Sequence, residues 1–209
     1  MGLPAGDKRL VQIVDAALAD TTRRSGKWLT CRPGCTQCCI GVFAISKLDA
    51  LRLREGLREL QNENPARAMK VLERARASAE RLAPGYPGNT RTGILGRDPR
   101  SQARFEDFAN EEPCPVLDPE TGLCDLYAAR PITCRSFGPP VRTQGGLGVC
   151  ELCFQGASEE EIAACEMEVD PGNLESELLR QIGSNPNGAE QTTVTFALVT
   201  TIRRGKFKL

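Results

Sequence analysis

Cys31-Arg32-Pro33-Gly34-Cys35-Thr36-Gln37-Cys38-Cys39 sets four thiols within nine residues. Gaps of two or three residues let neighbouring thiolates reach one ion from a single turn, and Pro33-Gly34 supplies that turn. Three more cysteines follow at ten-residue steps, Cys114, Cys124 and Cys134. Cys150-x2-Cys153 comes next, and Cys165 stands alone. The ten cysteines share 209 residues with no histidine. Such spacing reads as a metal or iron–sulfur site. The alternative is a disulfide-rich secreted protein, but a chain this long builds a core without such staples. The missing histidine removes every mixed Cys/His zinc scheme. It also removes histidine as a general base or as the partner of a nucleophilic Ser or Cys.

Nine cysteines lie in motif-like settings: Cys31, Cys35, Cys38, Cys39, Cys114, Cys124, Cys134, Cys150 and Cys153. Zinc in an all-cysteine site takes four thiolates, and so does a 4Fe–4S cluster. Nine are enough for two four-ligand sites with one spare, or for one site plus reactive or buried thiols. Adjacent Cys38 and Cys39 fit one tetrahedral ion poorly, so one is expected to bind while the other points elsewhere. Four thiolates on a dication or a cluster leave net negative charge. Arg130 and Arg135 flank Cys134 and can donate to the sulfurs from outside the ligand shell. Cys165 falls in Ile162-Ala163-Ala164-Cys165, inside an expected helix, and reads as a small apolar core residue. Tyr127 is placed to pack over the site. Asp118 and Asp125 are expected to serve turns.

The bulk numbers are consistent with this. Met1 to Leu18 mixes charged and apolar residues and reads as neither a secretory signal nor a membrane span. A cytoplasmic, reducing compartment is expected, where thiols stay free to bind metal. The formal net charge is zero, which argues against a general nucleic-acid binder. Residues 151–177 carry nine acidic side chains and no Lys or Arg, a face on which a protein partner could dock. The tail Arg203-Arg204-Gly205-Lys206-Phe207-Lys208 is basic and reads as a solvated end.

Periodicity predicts a mostly α chain with long irregular loops held by metal, in a single domain. Helices are expected over 7–20, from the Ser46 cap to about Leu60, and from Pro65 to about Leu82. A long Gly/Pro-rich loop spans 84–101, and it contains no phosphate-binding glycine pattern. Arg130-Pro131 is expected to start the helical turn that carries Cys134. Ser158 and Glu161 form a capping box for a helix to about Val169, and Asp170-Pro171 opens another to about Ile182. Asn185-Pro186-Asn187-Gly188 breaks the chain, and 189–203 reads as a further helix. The expected division is a metal-binding domain over 1–183, with its core at 28–153, and a C-terminal segment over 184–209 packed on it.

The first cysteine cluster, taken with Cys114-Pro-Val-Leu-Asp-Pro-Glu-Thr-Gly-Leu-Cys124-Asp-Leu-Tyr127-Ala-Ala-Arg130-Pro131-Ile-Thr-Cys134-Arg135-Ser-Phe-Gly138, resembles the YkgJ-type cysteine-cluster proteins. The order CP-x-L, C-x-x-Y and RP-x-x-CR-x-F carries the likeness, over roughly residues 28–153. One departure is the three-residue gap between Cys31 and Cys35, where the family's CxxCxxCC pattern has two. The resemblance implies zinc or iron chelation and a bacterial cytosolic setting. Flagellin lysine N-methylase shares the cysteine pattern and is associated with an iron–sulfur cluster, but no methyl-donor module is visible in this chain. Three readings follow. The first is a metal-binding protein, with a 4Fe–4S cluster favoured over zinc. The second is an iron–sulfur enzyme in redox or methyl-transfer chemistry. The third is a zinc-stapled module that presents its acidic segment to a partner.

Overall fold

The computed structural model describes residues 2–143, 145–184 and 190–203. Its centre is a helical hairpin. Helix α2 (Lys47–Glu63) starts where the Ser46 hydroxyl accepts the Asp49 N–H at 3.2 Å. Helix α3 (Pro65–Leu82) starts where the Asn64 side chain accepts the Arg67 N–H at 3.0 Å, with Pro65 in the first turn. Both starts satisfy amides that a helix leaves unpaired. Leu53 and Leu57 of α2 meet Val71, Leu72 and Ala75 of α3 in the largest apolar cluster. The last helix, α8 (Val194–Arg203), lies against both and buries Phe196, Ala197 and Leu198 in that cluster. Tyr86 closes it, its ring 4.2 Å from that of Phe196 and its hydroxyl donating to the Gly93 carbonyl at 2.7 Å.

The other face of α2 serves a second cluster. Leu48 packs there with Leu10 and Val14 of α1 (Asp7–Ser25), with Ile132, and with Leu178 of α7 (Leu174–Gln181). The five leucines of α2 therefore split between two cores, Leu53, Leu57 and Leu60 in one and Leu48 and Leu51 in the other. A buried charge cluster ties the helices together. Arg52 donates to both carboxylate oxygens of Asp7 at 3.1 and 2.6 Å and also pairs with Asp49.

Boundaries differ from expectation where side chains take over from periodicity. Helix α1 continues to Ser25 through the polar run Thr21–Arg24, where Arg24 pairs with Asp20 at 2.8 Å. The 84–101 segment is not a plain loop. It folds a two-residue hairpin, β1 (Gly88–Asn89) with β2 (Ile94–Leu95), and Pro99 opens helix α4 (Pro99–Glu106). Helix α5 (Ile132–Ser136) is the expected turn after Arg130-Pro131. A second hairpin follows, β3 (Val141–Thr143) with β4 (Gly146–Gly148). Helix α6 (Glu159–Ala164) has its capping box but ends early, because the chain turns so that the Met167 N–H donates to the Pro140 carbonyl at 2.8 Å. Asp170 accepts the N–H groups of Leu174 and Glu175 and starts α7 four residues later than expected.

The acidic 151–177 segment is partly consumed within the fold. Glu161 completes the capping box, Glu166 pairs with Arg142, and Asp170 caps α7. The expected break at Asn185–Gly188 and the basic residues from Arg204 onward lie outside the described residues. Among the described residues no helix is long and apolar enough to cross a membrane.

Candidate metal centre

Two sets of backbone bonds bring distant cysteines together. Ahead of the first motif, the Trp28 carbonyl accepts the Phe154 N–H at 2.8 Å, and the Thr30 hydroxyl donates to the Leu152 carbonyl at 2.9 Å. These place Cys31 Sγ 3.9 Å from Cys153 Sγ. The chain then turns through Pro33 and Gly34, the latter at φ +86°, and this turn holds the extra residue of the Cys31–Cys35 gap. A 3-10 turn over Gln37–Cys39 follows. The Cys39 carbonyl accepts the Cys114 N–H at 2.7 Å, and Ile40 bridges to Pro113. Leu117 bridges to Cys124 around a turn built on Asp118, whose carboxylate accepts from the Glu120 N–H and the Thr121 hydroxyl. Cys134 rides on α5, which is fixed where the Ile132 N–H donates to Asp49 at 3.0 Å.

The result is one cavity of about 340 Å³. Eight of the nine expected ligands line it: Cys31, Cys35, Cys38, Cys39, Cys114, Cys124, Cys134 and Cys150. Cys153 stands behind Cys31. All ten cysteines carry free thiols. Among the described residues no three Cys, Asp or Glu side chains converge on a point as they would around a bare ion. The thiols surround a volume. A set of soft sulfur donors with no competing imidazole fits zinc or an iron–sulfur cluster by its chemistry. Cys165 is buried as expected but does not lie inside α6. It follows the helix's last residue and packs beside Cys150, Cys153 and Phe154.

Most of these thiols resist ionisation. Burial first, and then Cys153, Cys150 and Cys35, push Cys31 up to about 12. Burial likewise pushes Cys114 up to about 12, with Cys124 and Cys38 adding repulsion. Burial also raises Cys124, Cys134 and Cys150. Cys38 goes the other way, down to about 6, because the Cys39 thiol donates to it and Arg130 lies near; Cys39 rises in consequence. At Cys153 burial opposes ionisation, but hydrogen bonds from Thr30 and Cys31 outweigh it and the thiol falls. A cation entering the cavity would displace protons, so binding strengthens as pH rises.

The metal-free protein should show the opposite trend in stability. Its raised thiols favour the fold fully below the ordinary value of 9.0, and that contribution is lost as pH climbs toward about 12. Cys38 contributes above 9.0 and loses its share as pH falls through about 6. The raised thiols outnumber the lowered ones, so the melting midpoint of metal-free protein is expected to fall between about pH 8 and pH 10. Calorimetry on the reduced, metal-free chain checks this; equal midpoints would contradict it.

Both arginines line the cavity, with different hydrogen-bond and ring partners. The Arg130 guanidinium lies 3.6 Å over the Tyr127 ring, on the cavity wall, and helps to hold Cys38 low. Arg135 is buried, and its hydrogen bonds go to the Asp15 carboxylate and to the Ala128 and Arg130 carbonyls. It ties the Cys134 turn to α1. Asp118 serves a turn as expected. Asp125 instead sits buried between Arg67 and Arg74 of α3.

Sequence reasoning missed Gly138 and Phe154. Gly138 has φ +117°, and a Cβ there would come within 2.5 Å of Cys31 Sγ. Its place at the end of the RP-x-x-CR-x-F-G run was the available signal. Gly138→Ala is expected to strain the backbone and push the Cys31 thiol aside, lowering metal content in the purified protein. Wild-type metal content in that variant would refute the close fit. Phe154 holds φ +58°, a conformation costly for an aromatic residue, and turns the chain sharply after Cys153.

No curated protein and no solved structure matches the chain. A family model described as "CxxCxxCC: Putative zinc- or iron-chelating domain" matches residues 30–154, more than half of the sequence. The match begins beside Cys31 and ends beside Cys153, so it encloses all nine cysteines of the site and leaves out Cys165. The chain belongs to the CxxCxxCC family of zinc- or iron-chelating domains.

Proposed function

We propose that this protein holds an iron–sulfur cluster on cysteine thiolates within its cavity. The observation that carries the reading is the set of eight cysteines on the wall of one cavity of about 340 Å³. A bare zinc ion about 2.3 Å from each sulfur wants its thiolates about 3.8 Å apart. The cavity that these thiols line has room for a cluster larger than a single ion. A bound cluster would supply one-electron redox chemistry, its potential tuned by its surroundings. The chain's own residues do the rest. They withdraw the thiols from water, hold them by the two sets of backbone bonds, and set Arg130 near the sulfurs to offset charge.

One observation favours zinc for part of the set. Cys31 and Cys153 stand 3.9 Å apart, the spacing of two thiolates on one ion. Protein purified under reducing, oxygen-free conditions tests the choice. A broad absorbance band near about 400 nm with matching iron and sulfide supports the cluster. Colourless protein with stoichiometric zinc and no iron would replace the cluster with zinc. The thiol-lined cavity also suits a reducing, cytoplasmic compartment.

A further inference from the structure

We infer that the thiols divide between two four-thiol centres, a division that rests on the metal-binding reading above. The inner centre is Cys114, Cys124, Cys134 and one of the adjacent pair Cys38 and Cys39. The outer centre is Cys31, Cys35, Cys150 and Cys153, and the other thiol of the adjacent pair is the ninth.

Three backbone ties and one from the Thr30 hydroxyl make this division before any thiol is considered. The first half of the opening motif is tied to the last cysteine pair through Trp28–Phe154 and Thr30–Leu152. The second half is tied to the middle cysteines through Cys39–Cys114 and Ile40–Pro113. One nine-residue motif is thus held to two different later segments, and the turn at Pro33-Gly34 separates its halves. Adjacent residues diverge at such a junction. Cys39 gives its carbonyl to the Cys114 N–H at 2.7 Å, which holds the Cys38–Cys39 pair against the middle cysteines, and one sulfur of the two serves the inner centre.

One pair of thiols already meets within the outer set: Cys31 Sγ lies 3.9 Å from Cys153 Sγ.

The two sets also differ in support. Cys114 and Cys124 pack against the main apolar cluster, and the Cys134 turn is anchored on buried Asp49. Cys31 is exposed, and Cys150 and Cys153 belong to a small satellite cluster. The outer centre should therefore release its metal first.

Two four-thiol centres require about two zinc ions, or about eight iron and eight sulfide, per chain. Wild-type protein should carry this content, and the double variant Cys31→Ser, Cys153→Ser should lose half of it. Cys165→Ser should keep all of it. Staged chelation of wild-type protein with iodoacetamide present, read by mass spectrometry, tests the division without relying on a variant's fold. Cys31, Cys35, Cys150 and Cys153 should be alkylated in a first phase, while the inner thiols stay protected. Simultaneous labelling of both sets, or a wild-type content of a single four-thiol equivalent, overturns the division and leaves the metal-binding reading intact. Wild-type protein isolated anaerobically with neither iron nor zinc overturns the metal-binding reading itself.

Discussion

Stripping metal from the reduced protein is expected to lower its melting midpoint by more than roughly 10 °C, because structural metal binding contributes about 10 kcal/mol or more and each kcal/mol moves the midpoint by about 2–4 °C. The reason lies in what each part of the chain can bury. Helices α2, α3 and α8 share an apolar cluster that contains none of the ten cysteines among its fully buried members. The Cys114–Cys134 segment adds Val116, Leu126 and Ala129 to that cluster, but the segments around Cys31–Cys39 and Cys150–Cys153 rest on a small satellite cluster and on hydrogen bonds between loops. Metal would cross-link three such loops, from Cys31–Cys39, Cys114–Cys134 and Cys150–Cys153. Its binding energy is then energy of folding for these loops. Loss of metal should accordingly expose residues 28–44 and 137–157 to protease before the helical core. Cys35→Ser, Cys38→Ser and Cys134→Ser should lower the midpoint in the same direction. Complete metal removal with no change in melting would end the idea that the loops depend on metal.

Much of this arrangement was legible in the sequence, and what was missed has physical causes. The caps at Ser46 and Ser158 and the proline at Pro65 act within a few residues, so those helix starts were found. The early end of α6 was missed because it depends on a bond from Met167 to Pro140, which no local pattern announces. Spacing picked out the cysteines, eight of which line one cavity, because short gaps constrain geometry whatever the fold. It did not show their division, because that depends on which loop each half of the motif is tied to. Arg135 has a structural duty that its adjacency to Cys134 does not announce, although it lines the same cavity. Next to Cys134 in sequence, it spends its donors on Asp15 and two carbonyls. Arg130, four residues before Cys134, is the guanidinium that acts on Cys38.

The second large effect is expected at Arg52, far in sequence from any thiol. Its side chain is 4 % exposed and bridges Asp7 and Asp49, which are 4 % and 2 % exposed. Arg52→Met should cost about 3–5 kcal/mol, because it strands two buried carboxylates without a counter-charge. At about 2–4 °C per kcal/mol the midpoint falls by roughly 10 °C. Arg52→Lys should recover little, since an ammonium cannot present the planar fork that reaches both partners. The loss should not stay within the helices. Asp49 also accepts the N–H of Ile132, so the turn that carries Cys134 loses its anchor when Asp49 is released. Metal content should fall with stability in Arg52→Met. The comparison that isolates burial is Asp20→Asn, which weakens the Arg23–Asp20 pair, 78 % and 46 % exposed. That change should leave the midpoint nearly unmoved, because solvent already screens the pair. Thermal melts of the two variants side by side decide the matter: equal midpoints would mean that the buried Asp7–Arg52–Asp49 cluster does not hold α1, α2 and the Cys134 turn together.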